Sequence, residues 1–162
     1  KKTKKADSVR DEMTNADDGR QWRQLLVLDG NGETAAWTGD KNRPETTHLV
    51  ERDLVLGGNM LAHANVPNVM RDRFHTLTQT SQRFELCLLD ALVAGFEAGG
   101  DVRGTTSAMI KVVYPNALPL DLRVDDHPYP MTELQRLYDM TRDPEYRMFF
   151  DRLPTPDKPH QY

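Results

Sequence analysis

The chain has 162 residues, of which 38% are hydrophobic and 28% charged, with a formal net charge of −4 at pH 7. That composition suits one folded domain with a buried core rather than a disordered chain. The acidic balance excludes a broad basic face of the kind nucleic acid requires. No apolar run approaches the roughly 20 residues that cross a bilayer, and the run Lys1, Lys2, Lys4 and Lys5 reads as a solvated tail rather than the start of a secretory signal.

In chain order, Ser8 to Ala16 reads as a short helix, with Val9 and Met13 four apart on one face and Gly19 closing it. A hairpin follows, Trp22 to Leu28 and Glu33 to Thr38. Its turn, Asp29-Gly30-Asn31-Gly32, carries both dipeptides that tolerate positive φ. Leu25-Leu26-Val27-Leu28 is apolar on both faces, as in a strand sandwiched between layers. Asp40 to Arg52 is polar and irregular around Pro44 and reads as an exposed loop. Asp53 to Leu56 reads as a strand running into Gly57-Gly58-Asn59, a sharp turn or a close backbone approach.

A helix runs from Pro67, capped by Asn65, with Val66, Val69, Met70 and Phe74 as its stripe. The longest helix spans Gln82 to Ala98 and is apolar around most of its surface, so it is expected to be covered. Gly99-Gly100 ends it. Cys87, the single cysteine, sits in its apolar face and reads as core. One unpaired cysteine fits a reducing, cytoplasmic setting. Thr105 to Tyr114 is a strand, Pro115 to Leu120 a loop and Asp121 to Asp126 another strand. Thr132 with Gln135 forms a capping box for a helix buried through Leu134, Leu137 and Tyr138. Residues 143–162 form a tail with Pro144, Pro154, Pro156 and Pro159. Its aromatic cluster (Tyr146, Phe149 and Phe150, with Met148) should dock on a neighbouring surface or a partner. Helices grouped between pairs of strands define an α/β layered domain over residues 6–142.

The densest chemistry is Asp121-Leu122-Arg123-Val124-Asp125-Asp126-His127. Leu122 and Val124 alternate with Asp121, Arg123 and Asp125, giving one apolar and one ionic strand face, and Asp126 and His127 fall at the strand end before Pro128. A structural ion-pair ladder is the favoured reading of that spacing, with a strand-end site as the sharper alternative. Asp101 and Arg103, flanked by glycines, form either a carboxylate-recognising pair at a pocket rim or, slightly preferred, a salt bridge pinning the helix exit. Asn59 offers an amide to an oxyanion or bonds its own turn backbone. A metal site at Asp125, Asp126 and His127 is rejected because successive strand residues point to opposite faces. A Ser107–His127–Asp126 triad lacks the nucleophile-elbow pattern.

Several segments together resemble a bacterial Ntn-hydrolase-like family filed as a domain of unknown function. They are Arg23 to Asp29, Ala35-Ala36-Trp37-Thr38-Gly39, Gly58-Asn59-Met60-Leu61-Ala62, Ala94 to Gly104, Ser107-Ala108, and Asp121 to Pro128 with the Glu133-Leu134 helix, spanning residues 6–142 in order. The resemblance implies a four-layer αββα sandwich and cleavage of amide bonds by the first residue of the mature chain. The α-amino group of that residue, with a reference pKa of about 8, serves as base. This chain departs at its start: Lys1-Lys2-Thr3-Lys4-Lys5 stands where the opening strands and a terminal Thr, Ser or Cys belong. The expectation is therefore a fold whose N-terminal strands are missing, with no catalytic residue in this chain. A second polypeptide or a further segment would complete the sheets, because open strand edges need partners. Asn59, Asp101, Arg103, Asp121, Arg123 and His127 are the expected pocket liners. An oligomer acting on a small amide is implied, with neither cofactor nor metal. The alternative is a non-catalytic binding or assembly subunit.

Overall fold

The computed structural model describes residues 4–80 and 82–160. The first three residues, part of the basic run at the start of the chain and including Thr3, lie outside them. Helix α1 (Ala6–Asn15) is followed by a 3-10 turn at Arg20–Trp22 and strands β1 (Gln24–Leu28), β2 (Thr34–Thr38), β3 (Thr47–Glu51) and β4 (Leu54–Gly58). Helices α2 (Val66–Thr78) and α3 (Phe84–Glu97) precede β5 (Ala108–Tyr114), β6 (Ala117–Val124), α4 (Pro130–Met140) and α5 (Pro144–Phe150). The strands form three separate antiparallel hairpins, β1–β2, β3–β4 and β5–β6. The protein is thus a mixed α/β fold of small antiparallel sheets and helices.

The first hairpin closes through Asp29, whose carboxylate accepts the Asn31 amide at 2.7 Å, the Glu33 amide at 3.2 Å and the Ala6 amide at 3.1 Å. These donors, Asn31 foremost, hold its pKa below the usual carboxylate value. Gly32 takes φ +80°, a backbone conformation that favours glycine, and it lies against the exposed Asp53 side chain of the neighbouring turn.

The two N-terminal hairpins stack. Gln24 Nε2 donates to the Thr47 carbonyl at 2.9 Å, Thr34 Oγ1 donates to the Glu51 carbonyl at 2.8 Å, and Thr38 Oγ1 meets His48 Nδ1 at 2.8 Å. Leu26 lies directly over Gly57. Alternation then assigns Leu25, Val27, Ala35 and Trp37 to the far side of the first hairpin, on which α1 packs. On the far side of β3–β4, Glu51 bonds His75 of α2 at 2.6 Å. Helices therefore back both stacked hairpins. The layer between the hairpins is only partly closed: Leu28 is 53% and Val50 45% exposed.

The main core lies at the third hairpin. Leu89 of α3, Leu134 and Tyr138 of α4, and Ile110, Val112 and Val124 of β5–β6 form one buried cluster. Cys87 is fully buried in α3, where burial raises its thiol pKa.

Several elements differ from the sequence expectation. Residues 47–51, expected within a loop, form β3 because β4 supplies their hydrogen bonds. Ala117–Leu120 likewise joins β6 through pairing with β5. Helix α4 begins at Pro130 rather than at a Thr132 cap, since a proline with preset φ suits the first turn. Asn65 precedes α2 without a side-chain cap bond. The tail contains α5, capped by Asp143, which accepts the Glu145 amide at 2.8 Å and the Tyr146 amide at 3.3 Å.

Candidate functional site

Three chain segments meet at the C-terminal end of α3. Gly99 (φ +112°) and Gly100 (φ +48°) turn the chain back, and the Gly100 amide caps the Gly95 carbonyl at 3.1 Å. The returning strand bridges the segment after β4. The Ala62 amide donates to the Gly100 carbonyl, and the Val102 amide to the Met60 carbonyl, both at 2.9 Å. A Cβ on Gly99 would sit 2.6 Å from that of Ala62, so this approach requires glycine. The Leu61 amide also reaches the Glu45 carbonyl at 3.4 Å. Met60 (φ +53°) and Glu45 (φ +55°) are non-glycine residues in the left-handed region. Backbone strain of this kind costs roughly 1–3 kcal/mol per residue and concentrates at functional loops.

Asn59, Asp101 and Arg103 all lie on this strap. Asn59 is exposed, and among the described residues its side-chain amide makes no hydrogen bond. Asp101 is saturated: Oδ1 accepts the Arg103 amide and Nε, each at 2.9 Å, and Oδ2 accepts Nη2 at 2.5 Å. The forked guanidinium brings the Asp101 pKa down to about 2. The pair braces the strap through Nε and Nη2, while Nη1 of the 63% exposed Arg103 side chain makes no bond to Asp101.

Asp121 and Arg123 stand on the outward face of β5–β6, opposite Lys111 and Met109 respectively. Lys111 Nζ lies 2.7 Å from Asp121, and Arg123 pairs with Asp125. Met109 and Val113 share this face at 53% and 74% exposure, so apolar and ionic groups alternate on an uncovered surface. His127 sits beyond the strand end, where its amide donates to the Thr106 carbonyl at 2.8 Å. Its Nδ1 accepts the Tyr129 amide at 3.0 Å, which leaves the proton of the neutral ring on Nε2. The structure thus joins Asn59 to Asp101 and Arg103, and places Asp121 and Arg123 on a separate ladder. His127 is tied by its backbone to the link from strap to β5. Among the described residues, no three His, Cys, Asp or Glu side chains gather as a metal-ligand set, and no helix is long and apolar enough to cross a membrane.

Sequence reasoning missed Lys111, the real partner of Asp121. The alternation Met109, Lys111, Val113 carried that signal, since it put the lysine on the opposing ionic face. It also missed Tyr138, Arg142 and Tyr146, which line a cavity beside β6. Their convergence depends on α5, a helix within the segment whose sequence reads as a tail.

Hairpins stacked between helices, with a strained strap and an ion-pair ladder, define a mixed α/β domain of antiparallel sheets. The chain belongs to a family of unknown function, DUF1028, whose model matches residues 1–134. It is similar to the crystal structure of protein SPO2555 from Silicibacter pomeroyi, itself assigned to DUF1028. The identity is 29% and the TM-score 0.85, over 98% of this chain and 70% of that one. No curated protein matches the chain.

Proposed function

We propose that this chain supplies the scaffold and part of the substrate pocket of an Ntn-type amide hydrolase. The N-terminal nucleophile and the strands that carry it lie outside these 162 residues. The observation that carries the reading is the uncovered face and open edges of the β5–β6 hairpin. Its inner face is packed on α3 and α4, while Met109, Lys111, Val113, Asp121 and Arg123 face outward on a sheet of only two strands. A two-stranded sheet that exposes Met109 and Val113 among the charges of its outer face is a poor end state in water, because both edges offer unpaired amides and carbonyls. The stacked hairpins backed by α1 and α2 support an αββα layering of the whole. The matched solved structure is longer, this chain corresponding to 70% of it.

In this reading the added strands cover the ladder and bring a terminal Thr, Ser or Cys toward it. The strap then presents the free Asn59 amide to the developing oxyanion, and His127 lines the rim. The substrate is a small amide, and the chain works within an oligomer or a two-part assembly in the cytoplasm. The test is intact-mass and N-terminal analysis of the protein purified from its own cells. A processed N-terminal Thr, Ser or Cys, on this polypeptide or on a co-purifying one, is expected. Finding neither in active material would sink the proposal.

A second reading is favoured by the ion pairs themselves. Asp101–Arg103, Lys111–Asp121 and Arg123–Asp125 are each internally satisfied. They suit a non-catalytic binding or assembly subunit in which charge fixes loop and sheet geometry.

A further inference from the structure

A cavity of about 740 Å³ opens between β6, the end of α4 and α5. Its walls are largely aromatic and aliphatic: Tyr114, Tyr138, Tyr146, Phe150, Leu118 and Leu122. Volume and lining both fall in the range of small-molecule sites. Tyr138, Arg142, Tyr146 and Phe150 lie beyond residue 134, so one wall of the cavity falls outside the segment the family model matches, while Tyr114, Leu118 and Leu122 lie within it.

The charges around it balance except for one. Arg83 lies 3.8 Å from Glu85, Arg147 lies 3.9 Å from Asp151, and Asp121 is held by Lys111 at 2.7 Å. Arg142 is left over. Its Nη1 reaches the Tyr138 hydroxyl at 3.4 Å, and among the described residues it has no carboxylate within ion-pair distance. Tyr138 itself is 2% exposed, which fixes the floor on which the guanidinium rests.

We propose that this cavity binds a small amphipathic carboxylate, its anion forked on Arg142 and its aromatic or branched apolar tail against Tyr146, Phe150 and Leu118. A single uncommitted guanidinium matches one carboxylate, whose two oxygens fit the planar donor fork. A phosphate dianion would call for a second free cation, and Arg83 and Arg147 are already paired. Burial and the nearby Glu85 raise the Tyr114 pKa, so its hydroxyl lines the cavity uncharged.

The test is calorimetric titration of the purified protein with 2-naphthylacetate, 2-naphthylethanol, acetate and 2-naphthyl phosphate. The naphthylacetate is expected to bind at least tenfold more tightly than the alcohol or acetate. Arg142→Gln should weaken it by tenfold or more while leaving the alcohol unchanged, and Arg43→Gln, in a loop outside the cavity lining, should change neither. Tyr146→Ala should weaken both aromatic probes. Should Arg142→Gln fail to fold by circular dichroism, Arg142→Lys keeps the charge, loses the fork and is expected to weaken the carboxylate alone. Saturable binding absent in the folded wild-type protein, equal affinity in the Arg142 variants, or tighter binding of the phosphate overturns the assignment.

Discussion

Arg123→Ala separates an open ladder from a covered one. In the present structure the Arg123 side chain is 67% exposed and its partner Asp125 72% exposed. An ion pair so solvated contributes about 0.2–1 kcal/mol, because water screens the attraction and both long side chains lose freedom in making it. Removing Arg123 from the 162-residue chain alone should therefore lower its unfolding free energy by no more than about 1 kcal/mol, a shift of roughly 2–4 °C in Tm. If added strands cover this face in the complete assembly, the same substitution strands Asp125 in a dry layer. Breaking a buried pair on one side costs about 3–5 kcal/mol. Urea denaturation of both forms, wild type and variant, reads the difference directly. A complete protein that loses no more stability than the isolated chain would show that nothing covers the ladder and that no added strands complete a sandwich there.

Four other outcomes follow from the geometry. Leu134→Ala should cost about 2–5 kcal/mol by chemical denaturation, since the side chain is fully buried among Leu89, Ile110 and Val112 and its cavity cannot collapse onto a sheet; a loss below 1 kcal/mol would mean the core is looser than described. Gly39→Ala should be far more damaging than Gly95→Ala: the new methyl meets backbone at Arg20 and Gln21 in the first case, but only the flexible Met70 side chain in the second, and the reverse order in thermal melts would contradict the packing. Asp101 should titrate near 2 by carboxyl NMR, and Arg103→Gln should return it toward the ordinary carboxylate value. Because its folded pKa is depressed, the stability it lends is present above the unfolded pKa near 4 and drains away as pH falls through about 2; a strap whose amide-exchange protection is unchanged over that window refutes the brace. Cys87 should resist thiol reagents until the protein unfolds, since the thiol is buried and its pKa raised; prompt labelling of the native protein would place it elsewhere.

Local chemistry announced what it could enforce alone. Asp29 to Gly32 closes the first hairpin because an acceptor side chain and a positive-φ glycine sit at the right spacing, whatever surrounds them. The α3 stripe and its Gly99-Gly100 stop were equally legible, since helical period and left-handed φ are properties of a few neighbouring residues. Asn59, Asp101 and Arg103 stood out by their glycine context, but their meeting on one strap depends on the hydrogen bonds of Ala62 to Gly100 and of Val102 to Met60, between residues far apart in sequence.

The rest required partners distant in the chain. Thr47–Glu51 and Ala117–Leu120 are strands only because β4 and β5 lie alongside, and a strand makes no hydrogen bonds of its own to declare itself. Asp121 could be placed on an ionic face from sequence, yet Lys111 became its counter-ion only through cross-strand register. The free guanidinium of Arg142 was likewise invisible, because charge balance in a cavity is summed over α3, β6, α4 and α5. Sequence spacing fixes which groups share a face; only the packing of one face on another decides which of them are left without a partner.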